Sequence, residues 1–289
     1  MSYRNNEDRF GGPLAPDQEP PPPEMFQQQQ QSSAMSYIAP TELVDIPSKG
    51  KFYAQGHPLH DKDQIEIRHM TAKDEDILVN QSYLKKGIAI DKLLENIMVD
   101  KSIKVGDLLV GDKNALVIAA RISGYGSSYA VKVPCPACGS VDEHDFDLDE
   151  ASVMNDVDSC QGVADLTERG TYLITLPKTS AVVEVKPLTG KDENSIISQN
   201  NTRKKHRLQP LGLTDQMKMY VVGVSIDSNE VDPREFVDNM PAIYSRYLIS
   251  TYKNILPNVE LAQHYECIQC GHEQVLEVPF TTEFFWPKQ

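Results

Sequence analysis

Apolar and polar residues alternate along "IEIRHM" (65–70), the period of a strand with one buried face. The stretch runs into "TAKDEDIL", where Thr71 stands three residues ahead of Asp74. A threonine there can cap free helix N–H groups, and an acid in the first turn complements the positive helix end. Strand, cap and helix are therefore predicted in succession. The pattern returns at "VEVKPLTGKDENSI" (183–196), with Thr189 and Asp192 in the places of Thr71 and Asp74. Helical periodicity follows in "GIAIDKLLENIMVD" (87–100) and "DKNALVIAARIS" (112–123). It follows again in "TDQMKMYVVGVSI" (214–226) and "PAIYSRYLISTYKNIL" (241–256), where Pro241 suits a first helical turn.

Three short matches recur in the same order. "LVDIP" (43–47) returns as "LITLP" (173–177), the strand-and-cap motif returns as above, and Cys135-x-x-Cys138-Gly139 returns as Cys267-x-x-Cys270-Gly271. The offsets are 130 (43 to 173), 118 (65 to 183) and 132 (135 to 267). The order and the near-equal offsets predict a tandem duplication. The expected fold class is α+β: two copies of a strand–helices–β-hairpin unit, joined by a four-cysteine zinc ribbon. The expected divisions are a disordered Pro/Gln-rich tail (1–38), a first unit (39–150), a linker (151–170) and a second unit (171–289). The tail, with "PDQEPPPPEMFQQQQQSS", has almost nothing to bury against the entropy of ordering. Cys160, in the linker, shows no ligand spacing and reads as an unpaired thiol. Phe284, Phe285 and Trp286 read as core packing.

Each Cys-x-x-Cys-Gly lies between two strand-like stretches, which makes it a turn at the tip of a hairpin. Gly139 and Gly271 fit a turn that needs positive φ. Cys135, Cys138, Cys267 and Cys270 supply four thiolates, the number a closed tetrahedral zinc site requires, and a closed shell points to structure and not to catalysis. Iron–sulfur and redox-dithiol readings remain open for the same four residues. His144, His264 and His272 lie near the knuckles and read as surface or supporting residues, since four cysteines already suffice.

The 289-residue chain carries 42 acidic and 28 basic residues, a net charge of -14, with a pI near 4.9. That excess argues against broad phosphate binding and against an anionic membrane surface. No apolar run is long enough to predict a spanning helix, and the first residues show no apolar signal region. "RKKHR" (203–207) is the one basic run and reads as a solvated loop between helices. The carboxylate-rich "GSVDEHDFDLDE" (139–150) lacks the calcium-loop glycine and terminal glutamate, and reads as a solvated acidic strand. Nucleotide-binding, zinc-protease and serine-hydrolase motifs are missing from the sequence, so no enzyme is expected.

"IPSKGKFY" (46–53), "IEIRHMTAKDEDIL", "KKGIAIDKLLENIM", "GDKNALVIAARISGYG" and the late "FFWP" together resemble the T4-type bacteriophage baseplate family, its hub subunits and hub-assembly proteins. The resemblance runs from about Pro47 to Trp286, and its most specific piece is Ile65 to Gly126. It implies a protein that builds or helps form the baseplate hub of a contractile tail, with other hub proteins as partners and no catalytic residue. It also implies a place in the host cytoplasm during assembly or in the virion's tail baseplate. Two other classes compete: a zinc-ribbon nucleic-acid-binding phage regulator and a thiol oxidoreductase.

Overall fold

The computed structural model describes residues 39–154, 164–278 and 282–285; the expected tail, Cys160 and Trp286 lie outside them. The first half opens on an antiparallel hairpin of β1 (Thr41–Asp45) and β2 (Gln64–Arg68), with Val44 opposite Ile65. As the alternation predicted, Ile65 and Ile67 face the core and Glu66 faces out. Four helices follow, α1 (Ala72–Leu78), α2 (Gln81–Lys86), α3 (Ala89–Ile97) and α4 (Val110–Tyr125). A second hairpin of β3 (Ser128–Pro134) and β4 (Val141–Asp147) comes next, then the short β5 (Ser152–Met154).

The second half contributes β6 (Asp165–Leu166), β7 (Tyr172–Thr175), β8 (Ala181–Val185), α5 (Gly190–Lys205) and α6 (Leu213–Tyr220). Then come β9 (Val221–Ile226), β10 (Asn229–Glu230), α7 (Pro233–Asn239) and α8 (Ala242–Ile255). It closes with β11 (Asn258–Glu260), β12 (Ala262–Glu266) and β13 (Glu273–Glu277). Five of these strands form one antiparallel sheet in the order β10-β9-β8-β7-β6. The fold is therefore mixed helix and strand, of the α+β class.

The two predicted caps form in closely similar ways. Ahead of α1, the Asp74 carboxylate accepts from Thr71 N and Oγ, both at 2.8 Å, and from both terminal nitrogens of Arg68 at 2.7 and 2.8 Å. Ahead of α5, Asp192 accepts from Thr189 N and Oγ at 3.0 Å and from Lys186 at 3.0 Å. In each half a cation on the last strand or just past it, a threonine and an aspartate lock the entry to a helix.

Other expectations are corrected. The helix expected over 214–226 stops at Tyr220, and "VVGVSI" becomes β9, paired to β8. Its valines crowd a helix backbone but suit a buried pleated surface. Pro241 stands one residue before α8 as its N-cap; the proline at a first helical position is Pro233, in α7. Within the expected linker, β5 pairs with β11 and β6 edges the five-stranded sheet. Of "RKKHR", residues 203–205 are the last turn of α5 and not loop.

Residues 39–289 form one unit, and α4 is its strut. Four successive residues, Ala115, Leu116, Val117 and Ile118, are all buried, so every side of this helix is covered. At its start, Gly111 lies so near Pro257 that a Cβ there would stand 2.1 Å from the carbonyl oxygen. Lys113 reaches Asp91 and Glu193, each at 2.7 Å, and so ties residues of both halves to one helix. Asp112 is buried, accepting from Ser48 N, Ser48 Oγ and the Tyr53 hydroxyl at 2.9, 2.6 and 2.7 Å; burial pushes its pKa up. At the far end the buried Arg121 donates to the carbonyls of Phe284, Gly126 and Ser128 at 2.7, 2.5 and 2.9 Å. That guanidinium joins the end of α4 to the buried Phe284–Phe285 pair, which packs in the core as expected.

Candidate metal centre

Both knuckles sit at hairpin tips, and the backbone explains their shape. In the first, Cys135 N donates to Ser140 O at 2.7 Å and Gly139 N donates to Cys135 O at 2.9 Å. In the second, Cys267 N donates to His272 O at 2.9 Å and Gly271 N donates to Cys267 O at 2.8 Å. Gly139 and Gly271 have φ of +74° and +66°, the left-handed region where a side chain is strained. The strands fix the approach: β3 and β4 pair from Ser128↔Asp147 to Pro134↔Val141, and β12 and β13 from Ala262↔Glu277 to Glu266↔Glu273. The hairpins also touch side by side. Gln263 bonds the backbone of Asp147, and His144 stands edge-on to Tyr265 with centroids 5.4 Å apart.

This packing brings together all four cysteines named from the sequence. Their sulfurs lie within 4.8 Å of one another, and the short separations cross between knuckles: Cys135 to Cys270 at 3.7 Å, and Cys138 to Cys267 at 3.7 Å. A disulfide needs about 2.05 Å between sulfurs, so these are free thiols. Four sulfurs each about 2.3 Å from a common centre, at tetrahedral angles, lie about 3.8 Å apart. The donor set fits that requirement in number and type, and the two cross-knuckle pairs fit it in spacing. Cys135 and Cys267 are buried and Cys138 and Cys270 exposed, so each knuckle offers one inner and one outer sulfur.

Two residues missed in the sequence crowd the same sulfurs. Ser140 Oγ lies 3.1 Å from Cys138 Sγ and 3.3 Å from Cys267 Sγ, and donates to Asp142 at 3.2 Å. Their hydrogen bonding makes the thiols unequal. The Ser140 hydroxyl draws Cys138 down and, in the same way, brings Cys267 down to about 6. For Cys270, a backbone hydrogen bond at His272 pulls downward but is outweighed by Cys138, burial and the other thiols, which push it up to about 12. Shifts in opposite directions are expected of four acids sharing one small volume. The only signal for Ser140 and Asp142 in sequence is their place just after the knuckle glycine. His144, His264 and His272 do not join the four-sulfur group; His144 packs against Phe146 and Tyr265 instead.

Among the described residues, no helix is long and apolar enough to cross a membrane. Residues 39–167 match the family described as T4 bacteriophage base plate protein, a segment that holds the first hairpin, α1 to α4 and the first knuckle. No curated protein and no solved structure matches the chain.

Proposed function

We propose, on the premise that residues 39–167 make the chain a member of the T4-type baseplate protein family, that it acts in building the central hub of a contractile phage tail. A structural protein of a phage baseplate works among other phage structural proteins. In our reading its direct partners are other hub proteins, and it acts by binding them with no chemical step. We assign Cys135, Cys138, Cys267 and Cys270 as ligands of one structural Zn2+. When bound, such an ion supplies a fixed tetrahedral crosslink. The chain's own part is to bring up two preshaped knuckles, to hold the Ser140 hydroxyl within hydrogen-bonding distance of the Cys138 and Cys267 sulfurs, and to bury Cys135 and Cys267.

The same reading accounts for the two halves. Each runs from a hairpin through a threonine–aspartate cap to a long helix and a knuckle, and we read this as one unit duplicated within 39–289. The units so joined are not beads on a string, since α4 is packed by both. One observation carries the proposal: a baseplate-family segment whose knuckle meets, sulfur to sulfur, a second knuckle 129 to 135 residues away in sequence. Two measurements test it. Elemental analysis of the purified chain should give one zinc per chain. Native mass measurement of the chain mixed with candidate hub proteins should give a stoichiometric complex. Zinc-loaded protein that binds no hub protein, and binds duplex DNA in a salt-sensitive way instead, would support the zinc-ribbon nucleic-acid-binding alternative.

A further inference from the structure

Away from the metal centre, two helices end side by side in positive charge. Helix α2 closes with Lys85 and Lys86, and α5 with Arg203, Lys204 and Lys205. The turn after α2 packs on α5: a Cβ at Gly87 would lie 3.8 Å from Ile197 Cγ2. Between the two runs lies a groove lined by Lys85, Lys86 and Lys205, by Ile88 and Ile197, and by the polar face of α5 from Asn194 to Thr202. Lysines in a last helical turn favour the negative helix end, and that explains part of their placement. It does not explain why three of them, from segments more than one hundred residues apart, share a groove with two isoleucines. Among the described residues none of the three takes part in an ion pair.

The chain presents the matching surface elsewhere. On β4, Val141, Glu143, Asp145 and Asp147 alternate onto the exposed face, and Asp149 and Glu150 follow, also exposed. Alternate residues of a strand stand about 6.8 Å apart, so this face carries an evenly spaced row of carboxylates with an exposed valine at one end. Among the described residues the Asp145 carboxylate accepts from Ser128 Oγ and that of Asp147 from the backbone N of Asp149, and neither takes part in an ion pair. Among the described residues no hydrogen bond or ion pair joins the lysine groove to the acidic strand.

We propose that the α2–α5 groove receives the acidic β4 strand of a second copy of this chain. Carboxylates meet the three lysines, and Val141 packs on Ile88 and Ile197. Nucleic acid fits the groove less well, because no aromatic ring lines it for base stacking and the chain as a whole is strongly acidic. The two faces differ, so the contact is head-to-tail: it either closes a ring or continues from copy to copy. Salt acts in two directions. The net charge of -14 drives copies apart when screening is weak, while about 0.15 M salt shortens the reach of that repulsion to about 8 Å and leaves close ion pairs in place.

Sedimentation of the full chain, at concentrations up to about 100 μM, tests this. Self-association is expected at about 0.15 M salt and loss of it near 1 M. The triple variant Lys85→Glu, Lys86→Glu, Lys205→Glu should associate at least about tenfold more weakly, the scale of three exposed ion pairs. So should Asp145→Lys with Asp147→Lys. An equimolar mixture of the two variants should recover association, since one keeps the native strand and the other the native groove. Circular dichroism and metal content matching the parent show that each variant folds; Asp149→Lys with Glu150→Lys replaces the strand variant if it does not. A chain that stays monomeric at every salt concentration overturns the proposal. So does association indifferent to both variants, or a groove variant that loses only duplex DNA binding. Metal content is read separately, so failure here leaves the zinc assignment standing.

Discussion

On the proposed zinc assignment, removing the ion is the perturbation whose size follows most directly from the structure. A single ion held by all four sulfurs would close the chain between Cys138 and Cys267, a separation of 129 residues. In the chain-entropy treatment, crosslinking a loop of that length removes about 5 kcal/mol of freedom from the unfolded ensemble. An ion held tightly by the folded protein and weakly by the unfolded chain adds to this. The loss should show first at the knuckles. The β3–β4 and β12–β13 hairpins are separate two-stranded sheets, and such pairs are marginal alone. What remains to hold them is burial of Tyr129, Val133, Phe146 and Tyr265, together with Arg121 at the base of β3. Chelation should therefore lower the melting temperature by about 10–20 °C for a unit of this size, and speed amide exchange in both hairpins before the five-stranded sheet. Cys135→Ser should come close to this loss. Cys138→Ser should cost less, since Cys135 is also buried packing and Cys138 is exposed. The assay is calorimetric melting of protein whose zinc content has been measured before and after chelation. Metal loss with the melting temperature moved by less than about 3 °C would refute the reasoning, because a shift that small is about 1 kcal/mol.

The remaining predictions concern the frame. Asp74 is fully buried and accepts hydrogen bonds from Arg68, Thr71 and Asn96. Against the cost of burial, the Arg68 guanidinium and the Thr71 donors hold its carboxyl well below the usual carboxylate range. The folded-state pKa is depressed, so this stabilisation is fully present above the unfolded value of about 3.9 and is lost as pH falls toward the folded one. Asp74→Asn should cost about 2–4 kcal/mol at neutral pH, and the gap from the parent in urea midpoint should narrow below about pH 4. Arg121→Ala strips the partner from three carbonyls at once and should cost about 3 kcal/mol or more, with faster proteolysis near Phe284. Gly111→Ala should lower the melting temperature although alanine favours helices by about 1 kcal/mol, because its Cβ would meet the Pro257 carbonyl at 2.1 Å.

What could be read from the sequence was local. The alternation in β2, the Thr71–Asp74 and Thr189–Asp192 caps and the two knuckles are each written within about six residues, and each forms as written. The joining of the knuckles was an inference from counting thiolates, and packing bears out the proximity it required. What escaped was set by partners far away in the chain. Helix α4 was legible as a helix, yet its burial on all sides depends on Asp91, Glu193 and Pro257, none of them near it in sequence. "VVGVSI" reads as the continuation of a helix until β8 offers a ladder to pair with. The short β5 carries no strand signal of its own and exists because β11 lies opposite, with Val153 against Val259. The same distinction separates the two cation–aspartate locks from the Lys113 pairings. Arg68–Asp74 and Lys186–Asp192 each span six residues and would survive the separation of the halves. The contacts of Lys113 with Asp91 and Glu193 exist only once both halves are in place. If one ancestral unit was doubled, the local locks are the parts it already had, and α4 is where the two copies became one protein.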